Sequence, residues 1–143
     1  MDQRVNIELC PCCSQILYAE CCGVFHSGNL PPTAVQLMRS RYAAYALNLP
    51  DYIIQTTHPK NPQFNSNTQA WRQSLVEFAQ TFTFQKLEIL DSCEDGLYAT
   101  VTFKAYLMQQ GRDASFAEKS EFIKRHGVWL YKDGKVEGSI NHL

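Results

Sequence analysis

The sequence predicts an α+β fold: a curved antiparallel sheet with about three helices on its concave face, preceded by a small metal-organised knob. Three observations carry this. Apolar residues recur at helical spacing between positions 33 and 82. After Phe82 the apolar period drops to two and hairpin signals follow one another. Five cysteines fall within the thirteen residues from Cys10 to Cys22, four of them as the pairs Cys10/Cys12 and Cys21/Cys22. Helices first and consecutive hairpins afterwards define α+β rather than a parallel sheet.

Residues 1–30 read as the knob, with little regular structure, and residues 31–143 as the main domain. Pro31-Pro32 separates the two. Thr33 is an N-cap with Gln36 three positions on, a capping-box pattern. Val35, Met38, Tyr42 and Tyr45 then mark one face of a helix over 33–47, ended by Pro50. Asp51-Tyr52-Ile53-Ile54 is a second, short helix. It stops before His58-Pro59, because the residue preceding proline avoids the helical region. Residues 59–67 are a polar loop. Asn67 caps a third helix whose stripe is Trp71, Leu75, Phe78 and Phe82.

A first strand spans 84–91, and Glu94-Asp95-Gly96 turns it back. Leu97, Ala99, Val101, Phe103, Ala105 and Leu107 alternate with polar residues and Tyr106 on a long second strand. Gly111 leads into a third strand over roughly 115–126. Gly127 leads into Val128–Tyr131, and Asp133-Gly134 is expected to be a two-residue hairpin turn. A sheet curved around a helix can enclose a pocket.

Composition narrows the function. With 45% hydrophobic and 19% charged residues among 143, the chain is globular. Its net charge of −1 argues against a nucleic-acid binder. Arg39, Arg41, Lys124 and Arg125 are expected to be a solvated, ion-paired face rather than a basic patch. No leader is legible in Met1–Asn6, and no apolar run reaches the roughly 18 residues of a membrane span. A cytoplasmic location is therefore expected, where thiols stay reduced and six cysteines favour metal over disulfides.

The cysteine spacing is C-x-C, eight residues, then C-C. Two thiolate pairs on a short loop suit one tetrahedral zinc ion, and four filled positions make the site structural. The expected ligands are Cys10, Cys12, Cys21 and Cys22, holding one Zn²⁺ per chain. Cys13 beside Cys12, or His26 in place of Cys22, are the alternatives. So small a segment cannot build its own core, so metal binding and its folding should be coupled. Cys93 is expected to be a semi-buried small residue.

The run Cys10-Pro11-Cys12-Cys13-Ser14-Gln15 with Tyr18-Ala19-Glu20-Cys21-Cys22 resembles the SEC-C motif, named for the zinc-binding tail of the SecA translocation ATPase. That motif reads C-P-C-G-S-G before a C-C or C-H pair, and here Cys13 and Gln15 replace its two glycines. Leu37–Tyr42, Asp51-Tyr52-Ile53 with His58-Pro59, Glu118–Phe122, Gly127–Tyr131 and Asp133-Gly134 resemble a bacterial family of YchJ-type proteins. The resemblance implies a cone-shaped domain similar to nuclear transport factor two behind the knob. Many relatives carry a second SEC-C motif, whereas Asn141-His142-Leu143 holds none.

The resemblance implies fold more sharply than activity, because this cone hosts enzymes and binding modules alike. The first expectation is a binding or protein-interaction module, its zinc knob presented to a protein partner. A homodimer through the outer sheet, with Trp129 and Tyr131 at its interface, is a further possibility. The alternative is a small-molecule enzyme or ligand binder using the cone for proton-transfer chemistry. Its polar pocket candidates are Tyr42, Tyr45, Asp51, His58, Tyr106 and Glu118. Glu118 is otherwise expected to be a cross-strand ion-pair partner, and Arg39 and Arg41 to hold a buried carboxylate such as Glu121, with an anionic ligand as the alternative. A deep cone with Asp51, His58 or Glu118 on its floor would favour the ligand reading.

Overall fold

A computed structural model describes residues 8–137. The readings made on 1–7 and 138–143, the leader and the second knob, lie outside the described residues. Four helices precede five strands: α1 (Cys22–His26), α2 (Ala34–Ala46), α3 (Pro50–Gln55) and α4 (Thr68–Thr81), then β1 (Thr83–Asp95), β2 (Tyr98–Gln109), β3 (Arg112–Asp113), β4 (Phe116–Arg125) and β5 (Val128–Glu137). The strands form one antiparallel sheet in the order β1-β2-β4-β5, with β3 paired to the end of β2.

The helix boundaries follow local chemistry. Thr33 Oγ1 accepts from the Gln36 amide at 3.1 Å and donates to the Gln36 side chain at 2.9 Å. Asn67 caps α4 through the Ala70 amide at 3.1 Å. Just past the end of α2, Asn48 takes a positive φ of 59° that turns the chain away, and Pro50 starts α3 at its first turn, where a missing N–H costs nothing. No helix among the described residues is long and apolar enough to cross a membrane.

The period-two strand places Ala99, Val101, Phe103, Ala105 and Leu107 on the buried face. They meet Leu37, Met38, Tyr42 and Ala43 of α2 in the main core, with Phe122 and Trp129 from β4 and β5. A second cluster joins Ala44, Ile53, Trp71 and Leu75 beneath α3 and α4. Register shifts at Phe84/Lys86 and Ile89/Asp91 of β1, and at Glu121/Phe122 of β4, bend the sheet around α2.

Several expectations are corrected. Asp133-Gly134 is no turn: β5 runs straight through it, with Glu121 opposite Asp133 and Ser120 opposite Gly134. The glycine answers to packing instead, because the Glu118 carboxylate and the Tyr131 hydroxyl occupy the space of a Cβ at 134. Trp129 is buried in the core and Tyr131 faces inward, so neither can form an outer-sheet dimer interface. Cys93 is exposed on β1. The knob also has more regular structure than expected: a 3₁₀ turn at Tyr18–Glu20 and α1 carrying Cys22.

Candidate functional site: a sulfur cluster and a cone cavity

The knob begins as a tight turn. Leu9 bridges Leu17, the Cys10 amide donates to the Ile16 carbonyl at 2.8 Å, and the Cys13 amide donates to the Cys10 carbonyl at 3.1 Å. Cys13 and Gln15 stand at φ 68° and 71°. These are the left-handed conformations that glycine adopts freely, so the turn of the motif is kept although its glycines are replaced. At the other end, Gly23 lets α1 close on the 3₁₀ turn, since a Cβ there would stand 2.6 Å from the Tyr18 carbonyl oxygen.

These two ends bring the Sγ atoms of Cys10, Cys12, Cys21 and Cys22 within 4.8 Å of one another. The sulfurs of a tetrahedral thiolate set lie about 3.8 Å apart when each metal–sulfur bond is about 2.3 Å. The Cys12–Cys21 separation is 3.7 Å, and all four cysteines are free thiols. The four sulfurs therefore fit a single metal ion. Hydrogen bonds from Cys10 and then Cys22 hold the Cys12 thiol far below the usual thiol range, and Cys10 is pushed up to about 11, chiefly by its bond to Cys12. Cys22 is raised as well, chiefly by its bonds to Cys10 and Cys12, so a divalent cation bound by the four sulfurs would have to displace the protons that these two thiols hold. Ser14 Oγ lies 3.1 Å from the Cys21 sulfur, and Arg39 Nη1 donates to the Cys12 carbonyl at 2.8 Å while lying 3.8 Å from its sulfur.

Neither alternative ligand joins the cluster. Cys13 points its thiol to the Pro11 carbonyl at 3.6 Å. His26 uses both ring nitrogens elsewhere. Nε2 donates to the Ser40 carbonyl at 2.8 Å, which leaves Nδ1 to accept from the Tyr18 hydroxyl at 2.7 Å. Its ring also meets Tyr52 edge-on, with centroids 4.7 Å apart. His26 thus fastens the knob to α2 and α3. Cys10, Cys12 and Cys22 belong to the same core cluster as Leu37 and Met38.

The concave side holds a cavity of about 610 Å³. Phe78, Phe82, Phe84, Phe103 and Phe116 give it aromatic walls, and Arg41, Tyr45, Glu118, Tyr131 and Asp133 are among its polar groups. Of the six pocket candidates, Tyr42, Tyr45 and Glu118 line it. The other three do not. Asp51 sits in the exposed first turn of α3, ion-paired with Arg72. His58 is buried beside Tyr131, its amide donating to the Tyr131 carbonyl at 2.8 Å and its Nδ1 accepting from the Lys60 amide at 3.0 Å. Tyr106 has the opposite parity to Ala105 and Leu107, which puts it on the convex face with Glu88 at 2.9 Å.

Glu118 is not the cross-strand ion-pair partner expected of it. It shares the inner face of β4 with Ser120 and Phe122, and its Oε2 accepts from Ser120 at 2.6 Å and from Tyr131 at 2.8 Å. Burial, and then the Glu118 charge, raise the Tyr131 hydroxyl well above its ordinary range, so it stays a donor. Burial raises Tyr45 as well.

Arg41 also departs from expectation. It holds neither Glu121, which meets Tyr98 instead, nor a place in a surface patch. It is 5% exposed, donates through Nη1 to Thr56 Oγ1 at 2.8 Å, Thr57 Oγ1 at 3.2 Å and the Ile53 carbonyl at 3.3 Å, and lies 4.4 Å from the Tyr131 ring centroid. The six pocket candidates omit Arg41, although an anionic ligand is its second reading in the sequence; its signal is its spacing, three residues after Met38 and four before Tyr45, both of which line the cavity.

Comparison with known proteins agrees with this architecture. A UPF0225 protein of Vibrio parahaemolyticus is 34% identical over 129 residues, covering 87% of this chain and 73% of the relative. The solution structure of a SEC-C motif containing protein from Rhodopseudomonas palustris superposes with a TM-score of 0.79 at 33% identity, covering 90% of this chain and 98% of that one. The crystal structure of a SEC-C motif containing protein from Psychrobacter arcticus gives 0.74 at 25% identity, covering 97% and 88%. The family described as "YchJ, middle NTF2-like domain" matches residues 33–134. With the sulfur knob ahead of that cone, the chain belongs to the YchJ (UPF0225) family.

Proposed function

We propose that this is a zinc-stabilised ligand-binding protein: one Zn²⁺ per chain held by Cys10, Cys12, Cys21 and Cys22, and a small molecule bound in the cone. The single observation that carries the binding role is the 610 Å³ cavity with buried Arg41 and half-buried Glu118 on its wall. Its size falls in the range of small-molecule sites, and its aromatic walls with charged and hydroxyl groups set among them suit one. Four thiolates fill a tetrahedral shell and leave no position for substrate, which supports a structural metal. The metal then secures the knob, whose Arg39 and His26 contacts brace α2, the helix that carries Arg41 and Tyr45.

The test is binding of a neutral apolar fluorophore, N-phenyl-1-naphthylamine, to the metal-loaded chain. We expect saturable binding at one site and its loss in Ala105→Phe, which fills the cavity. Absent binding, or binding that ignores Ala105→Phe, would remove the reading. A protein-interaction surface on the knob is the second reading, favoured by Leu9 and Ile16, which stand 56% and 47% exposed beside the cluster.

A further inference from the structure

Resting on the ligand-binding reading, we infer that the cone takes an aromatic-bodied carboxylic acid bearing a hydrogen-bond donor beside its carboxylate, such as an aromatic hydroxy acid or amino acid. Three features point to this class. The first is Arg41, a cation buried with no carboxylate within 4.0 Å among the described residues. A buried charge is costly unless it is paired. Nη1 spends itself on three neutral oxygens, and the Tyr45 hydroxyl set against the same guanidinium is neutral too, so no hydrogen-bond partner of Arg41 among the described residues balances its charge. Guanidinium edges of this kind are matched by a carboxylate.

The second feature is Glu118. Its Oε2 is taken by the Ser120 and Tyr131 hydroxyls, while its Oε1 has no donor among the described residues. A bare anion would be repelled there, whereas a hydroxyl or ammonium group on the ligand would supply the missing donor. Tyr131 ties the two charges together: its ring lies under the Arg41 guanidinium and its hydroxyl reaches Glu118. A carboxylate and an adjacent donor on one ligand carbon can therefore address both ends of this side chain. The third feature is the wall formed by Phe78, Phe82, Phe84, Phe103 and Phe116, which suits the face and edge of an aromatic ring.

The experiment measures affinities of the metal-loaded full chain for 3-phenyllactate, 3-phenylpropionate and 3-phenylpropanol, by titration against bound N-phenyl-1-naphthylamine and by calorimetry. We expect 3-phenyllactate to bind at least about ten-fold tighter than the alcohol, the scale of one charged hydrogen bond. It should also exceed 3-phenylpropionate severalfold. Arg41→Met should weaken both acids about ten-fold and leave the alcohol unchanged, and Glu118→Gln should shrink the preference for the hydroxy acid. Equal affinity for acid and alcohol, or acid affinity unmoved by Arg41→Met, would overturn the inference while fluorophore binding kept the ligand-binding reading intact. If neither fluorophore nor any of the three compounds binds, both fall. Should Arg41→Met fail to fold, the wild-type series decides alone.

Discussion

The Glu118 carboxylate lies over Gly134, in the space that a Cβ at position 134 would take. The two residues are not directly opposite: Glu118 pairs with Val136, and Gly134 with Ser120. The carboxylate leans across the β4–β5 ladder to reach the Ser120 and Tyr131 hydroxyls. Gly134→Ala should therefore push the carboxylate off both hydroxyls and cost about 1–2 kcal/mol. Urea unfolding of Gly134→Ala, Glu118→Ala and the double variant checks this. In the double variant the carboxylate's part of the clash is gone and only the Tyr131 hydroxyl remains near the new Cβ, so its cost should fall short of the sum of the singles. Strict additivity would mean that the two residues do not meet.

The turn between the first two cysteines holds Cys13 and Gln15 at φ 68° and 71°. Non-glycine residues are strained there, while glycine adds unfolded-state freedom that works against part of the gain. Cys13→Gly and Gln15→Gly should each stabilise the metal-loaded chain by about 0.5–1 kcal/mol. A lowered unfolding midpoint in either variant would contradict the geometry.

Arg39 reaches from α2 to the Cys12 carbonyl and stands close to the Cys12 sulfur. Groups that orient a metal ligand in this way are worth about 10- to 100-fold in affinity. Arg39→Ala should weaken zinc affinity about ten-fold in a chelator competition, with the fold retained by circular dichroism. An unchanged competition curve would show that the contact does not position the ligand.

Burial, opposed by its bond to the Ser40 carbonyl, holds His26 below its ordinary value of 6.5. The unfolded chain therefore binds a proton at His26 more readily than the folded chain. Stability tied to this residue is complete above pH 6.5 and falls as pH drops below it. Acid also strips thiolate sites, so the readout is a difference. His26→Gln should flatten the slope of unfolding free energy between pH 6.5 and the lower folded value, relative to wild type. An identical slope in the two proteins would remove His26 as its source.

Much of this molecule could be read in its sequence, for local reasons. Thr33 and Asn67 announce helix starts because a cap is a contact over three residues. β2 is legible because Ala99 through Leu107 alternate without interruption, and the cysteine cluster because its spacing alone brings the sulfurs together. What was misread depends on distant partners. Asp133-Gly134 carries a strong turn signal, yet its glycine answers to Glu118 two strand positions from its own pairing partner. Tyr106 sits outside the cone through strand parity, and Asp51 through a partner 21 residues away, Arg72. The burial of Arg41 arises only once α3 supplies Ile53 and the residues after it supply Thr56 and Thr57.

The claim on which the knob, its docking and the brace on α2 all depend is that one metal ion joins four sulfurs. Native mass spectrometry of chain purified without chelators tests it most directly. We expect one zinc per chain, lost in Cys10→Ser and in Cys21→Ser and retained in Cys13→Ser and His26→Gln. Full occupancy in Cys10→Ser or Cys21→Ser, or a metal-free wild-type chain whose mass reports disulfides among these cysteines, would contradict it.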